Sequence, residues 1–325
     1  MRRDCRVGAT GSRWRAAVFE LTRAALATSR AVTRGPRTAA VVMLATALLF
    51  AAGCGTHSAV ATTQSSAPAT AARPASEVGH WLITATAIQR LRGAGMSAAD
   101  EAAAFDNPGT YLTGDTGEAV TGLAHAVRAQ TFTSVAALRQ ALDAGRVGPQ
   151  VRTIVYDNED WSLTPPAEQR DPAAAEAQAA DLAHAHHLLL IATPATTLTR
   201  ALAPGQRGYP AYLSLGIAAA AAKVADVIDI QSQGAEADTA TFTDFVRQAT
   251  AQARQANPHV TVLAGLSTNP SGSQVTADQL KAAITATHTL VDGYWLNIPA
   301  AGTACPRCGQ ARPQVAIDLL RSLGS

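Results

Sequence analysis

The chain has 325 residues, with 26 basic and 24 acidic side chains and a formal net charge of +2. That balance is uneven. Residues 1–38 hold nine arginines against Asp4 and Glu20, which leaves 17 basic and 22 acidic side chains beyond them, a net of −5. A mildly acidic remainder without a basic run offers nothing to a phosphate backbone, so nucleic acid is not an expected partner.

After the basic segment comes a charge-free stretch, 38–53, containing AAVVMLATALLFAA. It is shorter than the roughly 20 apolar residues that span a bilayer. Basic segment, short apolar run and small residues at its end are the three parts of a secretory signal. The end reads Leu49-Phe50-Ala51-Ala52-Gly53-Cys54. In this the chain resembles the bacterial lipoprotein signal, which implies that Cys54 receives a diacylglycerol carrying fatty acids such as palmitate and becomes the new N-terminus. Ala51 stands where that family prefers leucine. An ordinary cleaved signal with Cys54 incidental, and a retained single-pass anchor, are the alternatives. The length of the basic segment suggests a start codon downstream of Met1.

Residues 55–77, GTHSAVATTQSSAPATAARPASE, contain almost no large apolar side chain. Such a stretch cannot bury enough surface to offset its chain entropy and reads as a flexible tether. The expected organisation is therefore a signal peptide (1–53), a lipidated cysteine and tether (54–77), and one folded domain (78–325). That domain would be held on the outer face of a membrane by the lipid on Cys54. Its length, about 248 residues, is close to the roughly 250 of a single (β/α) barrel.

Along the folded part, short β-type runs alternate with longer helical ones. The strands expected are 80–87 and a piece near 125–132, both weakly marked, then 151–159 (VRTIVYDNE), 188–193 (LLLIAT), 227–233 (VIDIQSQ), 260–267 (VTVLAGLS) and 293–298 (GYWLNI). Helices are expected over 134–144, 172–186, 239–257, 277–287 and 313–323. Ser134, Asp171-Pro172 and Thr276 mark three of their starts. Residues 88–119 lack periodicity and read as irregular. Strands bracketed by helices imply a parallel sheet covered on both faces, closed or open. No GxGxxG or GxxxxGK[ST] follows the first strand, so an open nucleotide-binding sheet lacks its phosphate cradle. The expected fold is an α/β, TIM-like (β/α) barrel of seven or so repeats.

In such a barrel the site is built from the C-terminal strand ends. Read in order, those ends carry Asp157 and Glu159, Gln231 and Gln233, Asn269, then Trp295 and Asn297. Side chains alternate along a strand, so Asp157 and Glu159 face the same way, with Cα atoms about 6–7 Å apart. Two such carboxyls can differ in pKa, one donating a proton and one ionised, the division that glycoside hydrolysis uses. Trp161 and Trp295 offer flat apolar faces to a sugar ring. The amides of Gln231, Gln233, Asn269 and Asn297 offer donor and acceptor together to hydroxyls.

With its strand ending in Asp157-Asn158-Glu159, the chain is similar to the TIM-barrel glycoside hydrolases, the chitinase-type barrels in particular. The resemblance implies Glu159 as the proton donor and Asp157 as the partner that orients substrate. Arg152, Thr153, Ile154 and Val155 stand where the chitinase pattern has further aspartates. The reading from the residues leaves three roles open for the pair: catalysis of glycan hydrolysis, non-catalytic binding of glycan or a protein partner, and strand termination. No motif requires a cofactor.

Cys305 and Cys308 are spaced C-x-x-C and have no second pair to complete a zinc site, so a local disulfide is expected. His184, His186 and His187 end an expected helix, where such side chains meet exposed carbonyls, and His184 and His186, two residues apart, do not face each other, so no metal site is expected. No G-x-S-x-G is present, and a nucleophile-elbow serine hydrolase lacks its signal.

Overall fold

The structure is a computed structural model that describes residues 78–114 and 121–324. The signal segment, Cys54 and the tether lie outside the described residues. Eight parallel strands close into a barrel in chain order. They are β1 (His80–Thr84), β2 (Thr110–Thr113), β3 (Val127–Phe132), β4 (Val151–Tyr156), β5 (Leu189–Ala192), β6 (Val227–Ile230), β7 (Thr261–Ser267) and β8 (Gly293–Asn297). Helices α1 (Ala85–Gly93) and α2 (Ala98–Phe105) follow β1, and α3 (Val135–Asp143) follows β3. After β4 come α4 (Pro166–Arg170) and α5 (Pro172–Ala185), and after β5 come α6 (Thr199–Leu202), α7 (Gly208–Ser214) and α8 (Ile217–Ala222). The last three are α9 (Thr239–Ala256), α10 (Ala277–Thr287) and α11 (Pro313–Leu323). Among the described residues no helix is long and apolar enough to cross a membrane.

The marked helix starts behave as their chemistry dictates. Ser134, Asp171 and Thr276 each accept a backbone N–H from the first turn, and Gln279 returns the bond to Thr276. These caps satisfy donors that the helix itself leaves unpaired.

The irregular reading of 88–119 is corrected: the segment holds most of α1, all of α2 and β2. Its signal was weak for physical reasons. The buried side of α2 is made by Phe105 and by Glu101, whose carboxylate takes two hydrogen bonds from Arg92, so no apolar stripe is visible. All four residues of β2 are buried, so its pattern does not alternate. Three further expectations overran. The strands expected over 80–87, 151–159 and 227–233 end at Thr84, Tyr156 and Ile230. Thr84 already caps α1, and the Ser232 N–H turns back to the Ile230 carbonyl.

Closure comes from β1 pairing with β8, His80 opposite Gly293 and Leu82 opposite Trp295. A Cβ on Gly293 would stand 2.1 Å from the His80 carbonyl oxygen, so only glycine permits this approach. Alternate residues fill the interior: Leu82, Tyr111, Ala129, Val155, Ile191, Val227, Leu263 and Trp295 form one buried cluster inside the barrel. Following the register around the barrel stacks the inward residues in layers, each from alternate strands. Leu82, Ala129, Ile191 and Leu263 share a level. The next toward the C-terminal mouth holds Thr113, Val155, Asp229 and Trp295, the next Thr84, Thr131, Thr193 and Gly265. Asp157, Gln231 and Asn297 come last. Polarity therefore rises toward the mouth.

Candidate active site

Asp157 follows directly on β4, and its N–H still bonds the Phe132 carbonyl of β3. Its buried carboxylate accepts at Oδ1 from Thr193 Oγ1 (2.8 Å) and from Gln231 Nε2 (3.3 Å). Gln231 is fixed by a second bond from Nε2 to the Thr193 carbonyl, 2.8 Å away. Burial pushes the Asp157 carboxyl up to about 6, while the bonds from Thr193 and Gln231 pull it back. Glu159, half-buried at the rim, is pushed up to about 8, first by burial and then by the negative charge of Asp157. The nearby Gln231 amide and the charge of Arg200 oppose that rise. The Gln231 amide thus ties Asp157 to the end of β5 and lies close enough to bear on Glu159 as well.

The third acid of the run has a different task. Asp160 forms an ion pair with Arg200 from α6 (2.7 Å), and Arg200 also donates to the Asp160 carbonyl. This clamp holds the loop that carries Glu159. Arg200→Gln is expected to raise the pH at which Glu159 releases its proton, because a nearby positive charge is removed. The carboxyl 13C shift of Glu159 followed against pH checks this, and an unmoved midpoint would refute it.

The remaining sequence-predicted residues divide. Trp161 is half-buried beside the pair, its Nε1 donating to Thr164 Oγ1 at 2.7 Å. Gln233 is half-buried with its side chain laid over Gly265, where a Cβ would meet it at 2.4 Å. Asn297 is half-buried at the mouth. Trp295, expected at the mouth, is a correction: it is 8% exposed and packs inside the barrel, one layer below Gly265, as floor rather than wall. Asn269 is a second correction. Its Nδ2 donates to the carbonyls of Pro299, Cys308 and Gln310, so its donors hold the loop after β8 instead of facing the mouth. In that loop Cys305 and Cys308 form a disulfide, with Cα atoms 5.5 Å apart. His184 pairs with Asp226 at 2.9 Å.

Sequence reasoning passed over Thr193, Arg200, Asp229 and Glu236. Thr193 and Asp229 carried a usable signal, since each keeps the inward parity of Ile191 or Val227. Glu236 had none. It lies buried beyond β6, accepting the N–H groups of Gly234 (2.6 Å) and Ser267 (2.8 Å), and burial pushes it up to about 7. A cavity of about 610 Å³ lies far from these groups, beside the starts of β1 and β2 and between α2 and α11.

Fold and site define a (β/α)8 barrel with a buried Asp157 and a half-buried Glu159 at its C-terminal mouth. No family model matches the chain, and no curated protein does. Among solved structures it is similar to the chitinase of Chromobacterium violaceum, at 13% identity over 76% of this chain and 99% of that one, TM-score 0.43. It is also similar to the carboxyl transferase domain of Rhizobium etli pyruvate carboxylase, at 13% identity over 77% of this chain and 47% of that one, TM-score 0.42. An alpha-L-fucosidase-like protein of Bacteroides thetaiotaomicron matches at 11% identity over 58% of this chain, TM-score 0.38, and the chain spans 61% of its length.

Proposed function

We propose that this chain is a lipid-anchored, extracytoplasmic glycoside hydrolase acting on cell-envelope or environmental glycan, with Glu159 as proton donor and Asp157 as its ionised partner. One observation carries the reading. Two carboxyls follow β4 at the barrel mouth, one held by Thr193 and Gln231, and burial together with the charge of Asp157 on Glu159 sets their proton affinities apart. Near pH 7 Glu159 holds its proton while Asp157 is charged, which is the division needed to protonate a leaving oxygen and stabilise a developing oxocarbenium ion. Trp161 supplies an apolar face beside the pair, and Gln233 and Asn297 supply amides for hydroxyls.

The test is a glycan array probed with the full chain, followed by hydrolysis assays on every glycan that binds. Release of new reducing ends supports the reading, and binding of no carbohydrate overturns it.

The anchor rests on the N-terminal sequence, with 1–53 removed, Cys54 lipidated and residues up to 77 serving as tether. Mass spectrometry of the mature N-terminus is expected to show a diacylated Cys54, with processing blocked by globomycin. An unmodified Cys54 would refute the anchor.

A further inference from the structure

Asp229 lies in the barrel interior on β6, two residues before Gln231 and with the same inward parity. It is 0% exposed, and neither carboxyl oxygen has a hydrogen-bond partner among the described residues. Around it in its own layer stand Thr113, Val155 and Trp295. Thr113 is committed to Thr131 at 2.6 Å, and Trp295 Nε1 is itself buried without a partner. Thr153, two layers deeper, has an unpartnered Oγ1 as well. A buried carboxylate with neither a cation nor a donor costs far more than a neutral acid at the same place.

We propose that Asp229 is a third carboxyl of the site, a positioning residue that stays neutral inside the barrel and so confines the interior to one negative charge, carried by Asp157. The titratable groups in its field are few. Asp157 bears on it from β4, with Glu159 beyond at the rim. Tyr212 on α7 lies near it outside the barrel, with Glu176 of α5 near Tyr212 in turn. Tyr111 of β2 lies two layers deeper, and His80 of β1, stacked on Tyr111, is turned to the Gly109 carbonyl. Asp229 makes no ion pair with any of them. Burial and then the charge of Asp157 push its carboxyl well above the usual carboxylate range.

The consequence concerns Asp157. An ionised Asp229 would place a second charge near it and favour its protonation, removing the charged partner that a proton-donating Glu159 requires. The fold accepts a cost for this arrangement. Unfolded, Asp229 ionises near pH 4; folded, it keeps its proton, so stability falls as pH rises above that value. An asparagine has no such slope.

The inference rests on the carboxyl pair being the working site, and its test needs no turnover, so failure to cleave glycan leaves it standing or falling on its own. With the full chain, Asp229→Asn is expected to raise Tm at pH 8 relative to the parent and to give no gain at pH 4. Infrared difference spectra at pH 8 are expected to show a protonated carboxylic acid band that Asp229→Asn removes. In Asp157→Asn that band is expected to disappear at lower pH than in the parent, since the coupling is reciprocal. Either of two results overturns the proposal: no such band lost in Asp229→Asn, or an Asp229 midpoint unmoved by Asp157→Asn. If Asp229→Asn folds poorly, the shift of the band in Asp157→Asn still decides.

Discussion

Glu159→Gln is expected to lower kcat/KM for glycan hydrolysis by about 10²–10⁴-fold, the usual contribution of a positioned general acid. Glutamine matches the shape of a protonated glutamic acid but has no proton to give, so binding should change little while kcat falls. The pH dependence has a definite sign. In the folded protein the Glu159 proton is held up to about 8, whereas in the unfolded chain it leaves near pH 4. Activity that needs the proton is lost as pH rises through about 8. Between those two values the parent also pays a stability penalty that glutamine removes. The variant should therefore melt no lower than the parent at pH 7 and the same at pH 4. Unchanged kcat in a folded Glu159→Gln would end the assignment, and a lower Tm at pH 7 would show that the carboxyl serves packing.

The second large effect is expected at Phe245, on the buried stripe of α9 that also includes Phe242, Val246, Ala249 and Ala253. Its ring stacks on Tyr209 with centroids 4.0 Å apart and meets Tyr212 edge-on at 5.4 Å. Phe245→Ala is expected to cost about 3–5 kcal/mol, because the surrounding side chains cannot fully close the space. Urea denaturation read by circular dichroism measures this, and a cost below about 1 kcal/mol would contradict the packing described. The loss should also reach the mouth. The Tyr209 hydroxyl donates to the carbonyls of Ser232 (3.0 Å) and Gln233 (3.4 Å), so the stacked ring holds the segment that follows β6, next to Gln231 in the chain. Phe245→Leu retains most of the volume and should cost much less.

Much of the architecture was legible along the chain. The five expected helices lie within about one residue of α3, α5, α9, α10 and α11, and the caps at Ser134, Asp171 and Thr276 close as their residue types suggest. What escaped notice was short or uniform. β2 is four residues buried throughout, α2 hides a glutamate–arginine pair on its inner side, and α6 to α8 are brief helices that fill one long crossover. Periodicity needs length and contrast, and these segments have neither. Of the candidate site, Asp157 and Glu159 stood out because two acids follow an apolar strand. Asn269 and Trp295 misled for the same reason: a polar or aromatic residue near a strand end looks alike whether it meets solvent, a loop carbonyl or the barrel floor.

The sequence by itself determined the alternation of strand and helix, the parity of each inward face and the placing of carboxyls at a strand end. These depend on interactions within a few residues of one another. Only the tertiary structure decided which polar groups meet. Thr193 and Gln231 reach the same oxygen of Asp157 from 36 and 74 residues away. Their meeting depends on how far each strand is staggered against the next, and stagger is set by pairing around the whole barrel. The same stagger sinks Asp229 and Trp295 below the mouth and leaves Glu159 at its rim.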